Sequence, residues 1–201
     1  MIDIEHIKRL SLILLGILIV FTVNDCITTE KKIQNISNTY PVEPFSAELL
    51  LITSAGQSTD AYIFHDIANN LHLNNHFMPE ANTYNLRAYS SVVFVVGYSQ
   101  VGMMLNEVTY EEEFKRVQKI VQTAQAEHLP IIATYLGGNE RRSKETDALM
   151  EYVCSVSDYI VITADSDRGP FIDKITENGT IPITCVRTVD QISMPLAAIF
   201  K

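Results

Sequence analysis

The sequence predicts an α/β domain, a three-layer sandwich whose central sheet is mostly parallel and has five or six strands. Three observations lead there. Short β-branched and apolar runs recur along the chain after residue 47. Segments of helical periodicity separate them, the pattern of βαβ units whose sheet is covered on both faces. Small and polar residues gather after the apolar runs and not before them.

The elements follow in order. Glu48–Thr53 (ELLLIT) is a strand that stops at Ser54-Ala55-Gly56. Within Tyr62–Leu71, residues Ile63, Phe64, Ile67 and Leu71 fall on one helical face. Residues 74–80 (NNHFMPE) read as a weak edge strand. Ser91–Val96 (SVVFVV) is a β-branched strand that stops at Gly97. Glu111–His128 is an amphipathic helix with Phe114, Val117, Val121 and Ala124 as its stripe. Glu111, Glu112 and Glu113 stand at its N-terminal end, where acids suit the helix dipole. Pro130–Leu136 (PIIATYL) is a strand ending at Gly137-Gly138. Leu149, Tyr152, Val153 and Val156 mark the next helix. Tyr159–Thr163 (YIVIT) and Ile181–Val186 (IPITCV) are strands. Val189–Phe200 closes the chain as a helix, with Pro195 awkward inside it. The expected strand order is 2-1-3-4-5, a flavodoxin-like or Rossmann-like order, with room for a sixth strand at the edge. Leu51, Val93, Val95, Ile132 and Ile162 are expected to be buried.

Composition narrows the class. The chain has 201 residues, 47% of them hydrophobic, and a net charge of −9. Such a chain fills a core, which excludes wholesale disorder. Its acidic balance argues against nucleic acid, where clustered Lys and Arg must neutralise phosphates. It argues equally against a basic membrane-surface protein.

Residues 1–26 stand apart as a signal peptide or N-terminal membrane anchor. Lys8 and Arg9 precede a 14-residue apolar run, Leu10–Val23, interrupted only by Ser11, Gly16 and Thr22. A spanning helix needs about 20 such residues, and a basic flank before a short apolar core fits a signal segment. Cys26 follows at once and is a candidate for lipidation, as in a bacterial lipoprotein. Asn24 and Asp25 do not suit the small positions before such a cysteine, so an uncleaved anchor fits as well. Either attachment places the domain outside the cytoplasm, tethered to a membrane. Residues 27–46 lack periodicity and read as a flexible tether, leaving 47–201 as one α/β domain. Without residues 1–26 the chain keeps 13 basic and 21 acidic groups, a net charge of −8. Cys154 and Cys185 read as buried thiols, with a disulfide open only if their elements pack suitably.

In a parallel sheet, ligands bind beyond the carboxyl ends of the strands. Four loops stand there: Ser54–Asp60, Gly97–Gly102, Gly137–Arg142 and Ala164–Gly169. They supply the candidate ligand-binding residues Ser54, Gly56, Gln57, Ser58, Ser99, Gln100, Gly138, Arg141 and Arg142. Arg141 and Arg142 stand at an expected helix start, where cations oppose the dipole but an anion would be welcome. Pairing with Glu140, Glu145 or Asp165 is the structural alternative. Gly56 is a second anion candidate, since glycine lets backbone amides approach a ligand.

The run Leu50-Leu51-Ile52-Thr53-Ser54-Ala55-Gly56-Gln57-Ser58, with Gly137-Gly138-Asn139-Glu140-Arg141-Arg142, resembles an uncharacterised bacterial family of secreted or lipoprotein-type α/β domains. The resemblance covers residues 43–200 and implies the same order of strands and loops, without an assigned activity.

Other motifs are weaker. Gly97-Tyr98-Ser99-Gln100 resembles the nucleophile turn of cutinase-like esterases, but Val101 stands where the second glycine belongs. His128 is the sole histidine after Ser99, and it precedes every later Asp, the wrong order for a triad. His72 and His76 have i, i+4 spacing, but Asn74 and Asn75 between them suggest a loop, and no metal is assigned. Asp165 and Asp167, with Glu140, could ligate a hard cation but read as a turn and cap. Neither G-x-x-x-x-G-K-[ST] nor G-x-G-x-x-G occurs, so no nucleotide cofactor is indicated. The expectation is a membrane-tethered domain binding a small anionic or polar ligand. An extracytoplasmic hydrolase or transferase using the same loops is the alternative.

Overall fold

Strands whose two faces are both apolar must be covered on both faces, and this chain supplies the cover from alternate sides of one sheet. The computed structural model describes residues 44–164 and 181–200. The segment 1–26 with Cys26, the tether up to residue 43, and Asp165 and Asp167 lie outside the described residues. The chain divides between Ser37 and Asn38, and the described residues all belong to the second unit.

Six strands form the sheet: β1 Leu50–Ala55, β2 Asn75–Phe77, β3 Ser91–Val96, β4 Ile131–Tyr135, β5 Tyr159–Thr163 and β6 Ile183–Val186. Their order is β2-β1-β3-β4-β5-β6, and every pairing is parallel. This is the expected 2-1-3-4-5 order, with the sixth strand added beyond β5. Register runs Leu51 with Val92, Val93 with Ile132 and Ile132 with Tyr159.

The helices are α1 Asp60–Asn70, α2 Gln100–Leu105, α3 Tyr110–Ala126, α4 Lys144–Ser155 and α5 Ser193–Ile199. On one face of the sheet, Val117, Ile120 and Val121 of α3 and Leu149, Met150 and Val153 of α4 pack on Leu51, Phe94, Ala133 and Ile162. On the other, Phe64 and Ala68 of α1 and Leu196 and Ile199 of α5 pack on Ile52, Val93, Val95, Ile132 and Val161. The five strand residues expected in the core, Leu51, Val93, Val95, Ile132 and Ile162, are all buried. Each such side chain contributes about 1.5–3 kcal/mol by leaving water.

Local boundaries depart from the expected ones for identifiable reasons. α1 begins at Asp60, two residues before the expected start at Tyr62, and an acid in the first turn suits the dipole. The edge strand shrinks to Asn75–Phe77, and β6 starts only after Pro182, whose missing N–H cannot serve a ladder. α2 goes unannounced by periodicity; Ser99 starts it by accepting a hydrogen bond from Gly102 N at 3.1 Å. The closing segment is not one helix but a 3₁₀ turn, Val189–Ile192, followed by α5. Pro195 then sits in the first turn of α5, where an N–H has no intrahelical acceptor to lose. Cys154 is buried, its thiol pushed up to about 12 by desolvation, while Cys185 is half-buried against the same core. The two are not joined by a disulfide.

The described chain enters at the amino edge of the sheet. The N–H groups of Phe45 and Ser46 each donate to Ile199 O at 3.2 Å, and the Phe45 ring lies 6.0 Å from that of Tyr159 at the start of β5.

Candidate functional site

After β1 the chain turns to α1 on one face, and after β3 it turns through α2 to α3 on the other. Such a divergence opens a crevice at the carboxyl edge. Here main chain fills much of it. Gly56 has φ +111°, and a Cβ there would stand 2.4 Å from Gly97 O. A Cβ on Gly102 would stand 2.2 Å from Gln57 O. The backbones also hydrogen-bond, Gly97 N to Ala55 O at 2.9 Å and Ser99 N to Gly56 O at 2.8 Å. These glycines admit neighbouring backbone to the crevice.

The amide of Gly56 already serves an anion, and the anion is the protein's own. Gly56 N donates to Glu113 Oε1 at 2.8 Å, and Gln57 Nε2 donates to Oε2 at 3.0 Å. Arg116 grips the same carboxylate in two places, Nε on Oε2 and Nη2 on Oε1, both at 2.8 Å. The guanidinium also donates to Ala81 O at 2.7 Å, to Thr53 Oγ1 at 3.2 Å and to Ser54 O. Burial alone would raise the Glu113 carboxyl, but the hydrogen bonds and charge of Arg116, with Gly56 N–H and the Gln57 amide, outweigh it and hold it low. Gln57 passes the network on, its Oε1 accepting from Asn106 Nδ2 at 2.8 Å.

The third loop joins the first through Arg141. Its Nη1 donates to Asp60 Oδ1 at 2.6 Å and its Nη2 to Ser58 Oγ at 2.9 Å. Asp60 is 1% exposed, whereas the Arg141 side chain is 49% exposed. Tyr135 braces this loop by donating to Gly138 O at 2.7 Å, and burial pushes its hydroxyl up to about 12, so it stays a donor.

The predicted residues therefore separate. Ser58 and Arg141 are in contact, and Gly56, Gln57 and Ser99 form the packed floor beside them. Gly138 is buried behind Arg141, and Gln100 is exposed at the start of α2. Arg142 turns elsewhere, its Nε donating to Asp147 Oδ1 at 2.7 Å. The two arginines do not open a helix as expected. They occupy and follow a 3₁₀ turn, Asn139–Arg141, and α4 starts later, capped by Ser143. Asp60 and Asp147, which pair with them, are not among the acids expected to do so.

A cavity of about 140 Å³ opens beside Gln57 and Ser58, with Thr59, Tyr62, Glu80 and Leu105 on its walls. Buried polar atoms without a hydrogen-bond partner gather at the same edge: Ser54 Oγ, Asp60 Oδ2, Thr134 Oγ1 and Asn139 Oδ1. Among the described residues only Ser91 Oγ, at the start of β3, shares that condition elsewhere.

Neither weaker motif assembles a reacting set. Ser99 Oγ caps α2, and His128 lies in the turn before β4, at the opposite edge of the sheet. His72 stands in the turn after α1, while His76 lies in β2 with Nδ1 3.1 Å from Tyr89 Oη.

Sequence reasoning missed Glu113, Arg116 and Asp60. A signal existed for Glu113: it lies four residues before Val117, on the buried stripe of α3 that continues through Ile120, Val121 and Ala124. An acid on an apolar stripe calls for a partner.

Residues 47–200 match a family described as a domain of unknown function, DUF6305, and the chain belongs to that family. No curated protein matches the chain.

Proposed function

We propose that this DUF6305 domain is a membrane-tethered, extracytoplasmic binding domain that takes a small anionic or polar ligand at the carboxyl edge of its sheet. The observation that carries the reading is the gathering of unpartnered buried polar atoms at that edge, around the half-exposed Arg141. Folded proteins pair nearly all such atoms, so a local excess marks a place where something else completes the bonding. Arg141 spends two hydrogen bonds on Asp60 and Ser58, which leaves further guanidinium N–H groups for a ligand. Ser54, Gly56, Gln57, Ser58, Ser99, Gln100 and Gly138 shape the surroundings, while Arg142 is held away on Asp147. Attachment rests on Lys8-Arg9 and the apolar run, with Cys26 as the lipidation candidate.

The test is a thermal-shift screen of the full-length chain against small carboxylates, phosphates, sugars and amino acids. A hit that raises the midpoint and is lost in Arg141→Lys supports the reading. Hits indifferent to Arg141, or none across the panel, sink it.

A further inference from the structure

We propose that the groove between α3 and the segment after β2 is a second site, built for a compact phosphate-bearing anion. It does not rest on the edge site described above. The groove holds a cavity of about 380 Å³ lined by Asn82, Thr83, Glu112, Lys115, Arg116 and Lys119. Lys115 and Lys119 are four residues apart in α3, which sets both on one helical face.

The charge arrangement is unusual for this chain. It is acidic overall, yet three of its cations line one groove. Arg87, Arg116, Arg141 and Arg142 each sit in an ion pair with a carboxylate. Among the described residues neither Lys115 nor Lys119 forms one. The groove therefore sets the charges of Lys115 and Lys119 against the single carboxylate of Glu112, on which Lys115 acts electrostatically, and the Arg116 guanidinium is a wall already bonded to Glu113, Ala81 and Thr53. Asn82 Oδ1 accepts from Tyr84 N at 2.8 Å, which leaves its amide N–H groups to donate. Thr83 adds a hydroxyl. Two ammonium groups, an amide and a hydroxyl form a donor-rich set, and a phosphate offers acceptors on every side.

Glu112 is the opposing group. Its carboxylate lines the groove but is engaged by Thr109, whose N and Oγ1 both donate to Oε2 at 2.8 Å. Those bonds hold the carboxyl below its usual value, so at neutral pH it repels an anionic ligand.

That repulsion makes the test directional. Inorganic phosphate and glycerol 3-phosphate are titrated into the full-length chain by calorimetry. Saturable, salt-sensitive binding is expected. Lys115→Gln with Lys119→Gln should weaken it about tenfold or more, since two charged contacts are lost. Glu112→Gln keeps a side chain that still caps the helix and should strengthen binding. The binding that depends on Lys115 and Lys119 should persist in Arg141→Lys, because Arg141 does not line the groove. Glu112, Lys115, Lys119 and Arg141 are all exposed, and the thermal midpoint of each variant checks that it folds. The proposal is overturned by the absence of saturable binding, by wild-type affinity in the double lysine variant, or by weakening in Glu112→Gln. Loss in Arg141→Lys alone assigns phosphate to the carboxyl edge and overturns it as well.

Discussion

Gly56 N donates to Glu113 Oε1 at 2.8 Å, so the first turn of α3 supplies the anion that the loop after β1 receives. A glycine loop that suggests an external anion is closed by a carboxylate 57 positions further along the chain. Arg116 then ties the same carboxylate to Ser54, Ala81 and Thr53, which joins three segments at one point.

Glu113→Gln should therefore be costly although it is nearly isosteric. It leaves Arg116 charged with its partner neutralised, and breaking a buried pair costs about 3–5 kcal/mol at the upper end. Arg116 is 18% exposed, so we expect about 2–3 kcal/mol, read as a lower urea midpoint with unchanged slope. A midpoint equal to wild type would show that the pair is energetically idle.

The same carboxyl sets an acid limit. Its folded value lies below the ordinary 4.5, so its contribution is present above the unfolded value and is lost as pH falls through the folded one. Stability should decline below about pH 4.5 more steeply in the wild type than in Glu113→Gln. Parallel pH profiles for the two proteins would refute this.

Gly102→Ala sets two effects against each other. Helix propensity favours alanine by about 1 kcal/mol. The new Cβ would stand 2.2 Å from Gln57 O, a backbone atom that cannot swing aside, and overpacking costs about 1–3 kcal/mol. The clash should win, with a lower thermal midpoint. A raised midpoint would mean that α2 moves freely against the first loop.

Arg141 and Arg142 should differ in stability. Arg141→Ala strands a carboxylate that is 1% exposed and should cost about 1–2 kcal/mol. Arg142→Ala leaves Asp147, which is 40% exposed and rehydrates, and should cost about 0–1 kcal/mol. Pairing Arg141→Ala with Asp60→Asn should recover part of the loss, because the two residues share one interaction. Equal denaturation midpoints for the two single variants would contradict the contacts.

Attachment is checked by fractionation. Full-length protein should sediment with membranes, and a chain shortened to begin near Tyr40 should not. Lipid labelling lost in Cys26→Ser selects lipidation over an uncleaved anchor. Full-length protein free in the cytosol excludes both.

Periodicity alone made most of the architecture legible. The apolar runs at Leu50–Ala55, Ser91–Val96, Ile131–Tyr135 and Tyr159–Thr163 pair in the expected parallel order, because strand and helix patterns are local and repeat over a few residues. Turn chemistry likewise marked Gly97 and Gly137 as lying just beyond strand ends, whereas the first strand, expected to stop at Ser54, pairs on through Ala55. The short α2 escaped because six residues are too few to display a period.

What only the tertiary structure decided is which charge meets which. Glu113 reads as one of three acids at a helix start, yet it alone of the three is buried, and it meets Gly56. Arg141 and Arg142 are neighbours of identical chemistry, yet one crosses 81 positions to Asp60 and the other reaches five to Asp147. Side-chain partners depend on where distant loops end in space, and charges attract any opposite charge within reach. Composition and spacing carry the periods that build the sheet, but the choice among many acids for each base is made by the packing of the loops.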